Sequence, residues 1–343
     1  MATIPTIEFG VPGDKVRVPR IGFGAMGITP IYGPVDNDEA ARTLKRTVEL
    51  GAAFWDTADV YGFGGSEVLL SEDLKKHRDK IFICTKFGNA FRMPEPGFTG
   101  DFASLINGVR GDPEYVRTSV EGSLKRLGVD RIDLYYQHRI DPSVPVEETV
   151  KAMAELVKEG KVRFLGLSEC SGETLRRAYK IHPIAAVQME YSPWTTHIET
   201  NGLLDACREL GVTLVAYSPL GRGFLTGQIR TLEDLPADDW RRCNPRFQPE
   251  NFAHNIRLVE GFERLAEKKG VKSGQLALAW LLAQESNLIV IPGTKRVKYL
   301  EENVAAGQIE LTAEEIKEIR ELVDNANIKG ERYDAAHMKF VDA

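Results

Sequence analysis

The chain has 343 residues, 43% of them hydrophobic and 27% charged, with a formal net charge of -6. That composition suits a globular protein with a sizeable core. The acidic balance argues against a general nucleic-acid surface, which needs a basic face, and no apolar run approaches the roughly 18 residues of a membrane span.

In chain order, TIEFGVPGDKVRVPR reads as a β-hairpin turning at Pro12-Gly13 and placed to plug the bottom of a barrel. From residue 20 to about 325, short runs of β-branched and aliphatic residues alternate with segments of helical period. The predicted strands are 21–26, 52–57, 81–86, 132–138, 163–168, 185–191, 213–218 and 288–293. Between them lie amphipathic stretches such as DEAARTLKRTVELG and PEYVRTSVEGSLKRLG, several closed by a helix-stop glycine (Gly51, Gly128, Gly160). Eight strands alternating with helices predict an α/β protein, a (β/α)8 TIM barrel, as one domain over 1–343. The glycines of GFGAMG (22–27) have dinucleotide-fold spacing, but Pro30 and Pro34 deny the helix that such a turn must open. Two connections are long, 87–111 and 219–255, and both fall at the C-terminal face, where barrels carry their sites.

Three of the strands end in a polar residue without an evident packing reason: Asp56, Lys86 and His138, with Tyr61 five residues past Asp56. By strand alternation Lys86 shares a face with Cys84 and Phe82, His138 with Tyr136 and Leu134, and Asp56 sits above Phe54. If those faces point inward, the polar groups meet at the upper rim. A phenol near its reference pKa of about 10 is a poor acid at neutral pH. An adjacent ammonium is expected to lower it, with a buried Asp holding the Lys charged. The set would deliver a proton to a carbonyl receiving a hydride, with His138 polarising the same oxygen. Bland readings suffice elsewhere: His77, His182, His197, His254 and His337 are ordinary histidines, and Tyr191 and Trp194 are packing residues. Of Tyr135 and Tyr136, one faces the barrel core and the other the helices. Four cysteines, Cys84, Cys170, Cys207 and Cys243, form no CxxC pair; they suggest neither metal nor disulfide but a reducing, cytoplasmic compartment.

The chain resembles the aldo-keto reductases over nearly its whole length. WDTADVYGFGGSE (55–67), TKFG (85–88), DLYYQHRID (133–141), GLSE (166–169), AVQMEYSP (186–193), AYSPLGRGFLTG (216–227) and IPGTKRVKYLEEN (291–303) carry the likeness. The branch resembled includes pyridoxal reductases and alkaloid aldehyde reductases. The resemblance implies a catalytic tetrad of Asp56, Tyr61, Lys86 and His138, an NADPH cofactor, a small carbonyl substrate and no metal. It implies carboxamide contacts from Ser168 and Gln188 and a ring platform from Tyr217. It also implies a pyrophosphate strap at Ser218, Pro219, Leu220, Gly221, Arg222 and Gly223, with Arg222 offering charge. Gly293, Thr294, Lys295 and Arg296 match the 2′-phosphate region, and Glu302 and Asn303 the adenine contacts. Two positions depart from the pattern: Glu169 stands where an Asn is common, and Tyr299 where many members have Arg. Alternatives left open are pyridoxal-type specificity, NAD-linked alcohol oxidation and a cofactor-sensing subunit with little turnover. The sequence assigns no oligomeric state.

Overall fold

The structure, a computed structural model, describes residues 4–92, 105–237 and 239–343. Strands β1 (Thr6–Val11) and β2 (Asp14–Pro19) pair antiparallel, with Val11 opposite Asp14. Pro12-Gly13 is therefore a two-residue turn, with Gly13 at φ 86°, which only Gly adopts without strain.

The barrel begins with β3 (Phe23–Gly24), β4 (Phe54–Asp56) and β5 (Phe82–Phe87). A small antiparallel hairpin, β6 (Asn89–Phe91) and β7 (Ile106–Val109), follows in the 87–111 connection, of which 93–104 lie outside the described residues. The barrel then continues through β8 (Ile132–Gln137), β9 (Val162–Ser168), β10 (Ala186–Glu190), β11 (Thr213–Tyr217) and β12 (Leu288–Val290). The eight barrel strands pair in chain order, all parallel. Bridges Ile21–Val290 and Gly24–Gly293 join the first strand region to the last, closing the cylinder. A Cβ on Gly24 would lie 2.7 Å from the Ile291 carbonyl, so this glycine serves barrel closure. No dinucleotide-fold helix follows it: Ala25–Ile28 and Pro30–Tyr32 are single 3-10 turns.

The helices are α1 (Asn37–Leu50), α2 (Gly65–His77), α3 (Pro113–Leu127), α4 (Val146–Lys158), α5 (Gly172–Ile181) and α6 (Leu203–Leu210). They continue with α7 (Pro249–Lys269), α8 (Ser273–Gln284), α9 (Val297–Ala305), α10 (Ala313–Asp324) and α11 (Ala335–Met338). Local chemistry sets their ends. Asp36 accepts from the Asp38 and Glu39 amides at the start of α1, and Gly51 ends it at φ 78°. Asp112 caps α3 with Pro113 in the first turn, and Gly128 ends it at φ 66°. None of these helices is long and apolar enough to cross a membrane, among the described residues.

Strand alternation splits the core in two. Phe54, Phe82, Cys84, Leu134, Tyr136, Phe164 and Ile289 fill the barrel interior, whereas Tyr135 packs outward, its ring 4.9 Å from Phe87. The hairpin inserts Phe9 into the bottom, 5.2 Å from the Phe82 ring, 5.6 Å from Phe164 and 6.0 Å from Phe54. Phe9→Ala should therefore cost about 3–5 kcal/mol, the usual range for truncating a fully buried Phe. Urea unfolding measures it, and a loss below about 1 kcal/mol would make the plug dispensable. The 219–255 connection has more structure than expected: four 3-10 turns between Gly221 and Phe247 lead into α7, which starts at Pro249. Trp194 stacks on Phe224 of this segment at 4.4 Å, and Tyr191 donates to Glu199 at 2.6 Å, so both are packing residues.

Candidate active site

Asp56 ends β4, Lys86 is the penultimate residue of β5 and His138 follows β8 directly, so all three reach the C-terminal rim. Tyr61 returns to them from the β4–α2 loop, which the Asp59 amide ties to the Lys86 carbonyl at 3.1 Å. The fully buried Lys86 ammonium has three acceptors: Asp56 Oδ1 at 2.5 Å, the Thr57 carbonyl at 2.8 Å and Tyr61 Oη at 3.4 Å. Its three N–H donors are thereby used. Gln188 Nε2 donates to the other Asp56 oxygen at 2.7 Å. The Tyr61 ring meets His138 edge-on at 5.8 Å. Asn89, which carries no local sequence signal, places its amide nitrogen 3.2 Å from His138 Nδ1. An amide N–H donates, so Nδ1 accepts, and in the neutral ring the proton sits on Nε2.

Burial dominates the electrostatics. It raises Asp56 above the usual carboxylate value, although Lys86 and Gln188 oppose it. Burial also works against the Lys86 charge, but Asp56 and Tyr61 outweigh it, and the ammonium is held above its ordinary value. His138 is driven well below 6.5 by burial and by the charges of Arg139 and Lys86, so it is neutral. The expected acidified phenol needs correction. Lys86 does act to lower Tyr61, but desolvation is larger and raises the phenol above 10.

A cleft of about 670 Å³ leads away from Asp56 and Tyr61. Of the residues predicted to hold a cofactor, Gln188, Tyr217, Ser218, Pro219, Leu220, Arg222, Gly223, Gly293, Thr294, Lys295, Arg296, Glu302 and Asn303 line it. Ser168 and Gly221 do not. Ser168 Oγ is nevertheless a buried polar atom without a hydrogen-bond partner among the described residues, as a hydroxyl awaiting a carboxamide would be. Gly221 supports the strap from behind: a Cβ there would lie 2.7 Å from the Trp194 ring. The strap is tightly wound, with Ser218, Gly221, Arg222 and Gly223 all at positive φ.

Several charges differ in role from expectation. Arg222 donates to Glu190 at 3.1 Å and to the Arg332 carbonyl at 3.0 Å, and lies 4.9 Å and 4.7 Å from the Trp240 and Tyr333 rings. It braces the strap instead of presenting an open charge. Lys295 reaches the Pro34 carbonyl at 2.6 Å, clasping the loop that follows β3. Burial, with Arg296 and Arg241 nearby, lowers its proton affinity. Arg296 is exposed at the entry to α9, whose first amide, Val297, donates to Glu39 Oε1 at 3.1 Å. Glu302 is ion-paired with Lys272, a cleft residue that sequence reading missed.

The Asn-to-Glu departure at 169 has a structural counterpart far away in the chain. Glu169 sits at φ 52°, buried, its carboxylate gripped by both ends of the Arg332 fork at 3.0 and 2.9 Å. It also accepts from Tyr217 Oη at 2.8 Å and the Glu190 amide at 3.1 Å, and Tyr217 touches Tyr333 Oη at 3.0 Å. Burial opposes the Glu169 charge, but Arg332 and Arg139 override it and hold the carboxyl below its ordinary value. The tail closes over this cluster, with the Ala343 carbonyl accepting from the Ser171 amide at 2.7 Å. Glu169, His197 and Asp342 come within metal-ligand spacing of one another. Arg332, 2.9 Å from Glu169 and 3.7 Å from Asp342, supplies a cation there already.

A closed parallel barrel with a lysine-backed phenol on its C-terminal rim and a long cleft beside it defines a barrel oxidoreductase. The Aldo/keto reductase family model matches residues 20–324, and the chain belongs to that family. It is 46% identical over 335 residues to the NADP(+) aldo-keto reductase yakc of Schizosaccharomyces pombe, covering 96% of this chain and 95% of that protein. An aldo-keto reductase of Strobilurus tenacellus is 49% identical over 339 residues, covering 96% and 95%. Among solved structures, a glycerol dehydrogenase from Gluconobacter oxydans superimposes with TM-score 0.82 at 28% identity, covering 94% of this chain and 97% of that one. The holo form of an aldo-keto reductase from Bacillus halodurans gives 0.73 at 27%, covering 97% and 99%.

Proposed function

We propose that this enzyme reduces aldehydes, and some ketones, to alcohols with NADPH, Tyr61 donating the proton. The observation that carries the reading is the Tyr61 hydroxyl 3.4 Å from a fully buried, Asp56-anchored ammonium, at the head of the cleft. The S. pombe relative named for NADP(+) supports the cofactor assignment. When bound, the dihydronicotinamide supplies the hydride that reduces the carbonyl carbon. Ser168 and Gln188 would hold its carboxamide, Tyr217 its ring, the 218–223 strap its pyrophosphate, Gly293–Arg296 its 2′-phosphate, and Glu302 and Asn303 its adenine.

The carbonyl oxygen is met by Tyr61 O–H and the His138 Nε2 proton. Negative charge that develops on that oxygen is stabilised by both. The raised phenol keeps its proton until the oxygen becomes an alkoxide, a stronger base than a phenolate. Lys86 then stabilises the phenolate left behind, and Asp56 keeps Lys86 charged and in place. One barrel domain in a reducing, cytoplasmic compartment fits the four free cysteines.

The test is NADPH oxidation, followed by absorbance, against a panel of aldehydes with NADH in parallel. NADPH should be favoured by about 10- to 100-fold in kcat/KM, the worth of a charge-assisted contact, and Arg296→Met should erase most of that preference. Absence of NADPH oxidation with every aldehyde would overturn the reductase reading. Equal use of NADH, unchanged in Arg296→Met, would remove the 2′-phosphate assignment alone.

The pH profile follows from the two shifts. His138 works neutral, and its depressed pKa moves any acid limb below the ordinary imidazole value of 6.5. Tyr61 works protonated, and its raised pKa moves the basic limb above 10. The kcat/KM for reduction should be flat between those values, and an acid limb centred near the ordinary imidazole value would contradict the neutral His138.

A further inference from the structure

One cation at the rim has no task in the chemistry above. Arg139 follows His138 directly, and its Nη1 donates to the His138 carbonyl at 2.8 Å. Among the described residues this is its single hydrogen bond, and it has no ion pair. A guanidinium carries five N–H donors in a planar fork, so most of its donors stay open. Other arginines of this chain find carboxylates even where solvent would serve them: Arg46 with Glu49, Arg117 with Glu159, Arg177 with Glu147. Arg139 is half-buried, where a guanidinium without a hydrogen-bonded carboxylate is more costly.

The acids nearby are committed elsewhere. Glu169 gives both oxygens to Arg332, and one of them also accepts from Tyr217 and the Glu190 amide. Glu190 gives its oxygens to Thr195 and Arg222. Tyr61, Tyr217, Tyr333 and Glu169 all lie close enough to act on Arg139 electrostatically, so it shares the rim with both the phenol and the Tyr217 platform. Burial works against its charge, but those neighbours outweigh it and keep the guanidinium protonated.

We propose that Arg139 is a substrate-recognition site for a carboxylate, so that the preferred substrates are aldehydes bearing a carboxylate group near the reacting carbonyl. The inference rests on the reductase reading and names the substrate class of that same site. The carbonyl oxygen engages Tyr61 and His138, and the open side of the Arg139 fork, one residue on, receives the carboxylate in its plane. A lysine there would supply charge without the planar match.

Two measurements test it. The first compares 4-formylbenzoate with its neutral isostere 4-formylbenzamide, with NADPH, in the wild type, Arg139→Met and Arg139→Lys. The wild type should favour the carboxylate by about 10- to 100-fold in kcat/KM, chiefly through KM, as expected for hydrogen bonds to a charged group. That ratio should fall to near unity in Arg139→Met and be partly kept in Arg139→Lys. A wild-type ratio near unity, or one unchanged in Arg139→Met, overturns the proposal. The second measurement needs no turnover: calorimetric binding of benzoate to the protein saturated with NADP+. Binding weakened about tenfold or more in Arg139→Met supports the site even if neither aldehyde is reduced, in which case it is the reductase reading that fails. Benzoate binding that is absent, or equal in both proteins, sinks the proposal whatever the enzyme's activity.

Discussion

Tyr61→Phe should lower kcat for aldehyde reduction by about 10²- to 10⁴-fold, the range of a lost general acid, while NADPH binding is retained. The change deletes one oxygen. The ring keeps its edge contact with His138 at 5.8 Å, and Lys86 keeps Asp56 and the Thr57 carbonyl as acceptors. The barrel rim therefore has no reason to rearrange, and the lost rate reports the proton alone. Because the phenol is raised and not lowered, the loss should be similar across neutral pH and should not recover in acid. His138 is neutral, and a neutral imidazole N–H is far too weak an acid to replace the missing phenol. Single-turnover reduction, together with a fluorescence titration of NADPH, separates the two effects. A variant that retained wild-type turnover would remove Tyr61 from the proton path.

The barrel was legible because its strands carry their pattern locally: Phe54, Phe82, Cys84, Leu134 and Tyr136 turn inward at alternate positions and do fill the interior. The polar ends of those columns could be read for the same reason. Strand lengths were less legible. The 21–26 run yields only Phe23–Gly24 as paired strand, because its two neighbours bond it at different places, β4 at Phe23 and Gly24 and the β12 side at Ile21 and Gly24. Asn89, Lys272 and Arg332 were invisible because each acts on a partner distant in sequence and carries no local pattern. Glu169 was visible as a departure but its meaning was not, since its partner Arg332 is brought in only by the folded tail. The sign of the Tyr61 shift failed for a related reason. The sequence shows which charge adjoins the phenol, but the amount of water that burial removes is a property of the assembled rim.

Lys86→Met should be costly twice over. For catalysis it removes the charge proposed to stabilise the Tyr61 phenolate, and a loss of about 10²- to 10³-fold is typical for one preorganised electrostatic partner. For stability it strands the Asp56 carboxylate in a buried site with Gln188 as its one remaining side-chain donor among the described residues, worth about 3–5 kcal/mol at neutral pH. The pH dependence identifies the cause. In the wild type, burial already raises Asp56 above its unfolded value. A raised carboxyl favours the folded state below the unfolded pKa and loses that contribution as pH rises through the folded pKa. Lys86, raised by Asp56 and Tyr61 against burial, contributes stability that is full below its unfolded value and fades only in strong alkali. Without Lys86 the Asp56 value climbs further, so the deficit of the variant should be small near about pH 4 and grow toward about pH 8, because each unit of pKa shift is worth about 1.4 kcal/mol. Urea unfolding of both proteins across that range measures it. Adding Asp56→Asn to Lys86→Met should recover much of the stability, since a neutral amide has no charge to strand, while activity stays lost. A deficit independent of pH, or one that the second change does not relieve, would show that Lys86 matters through packing and not through its pairing with Asp56.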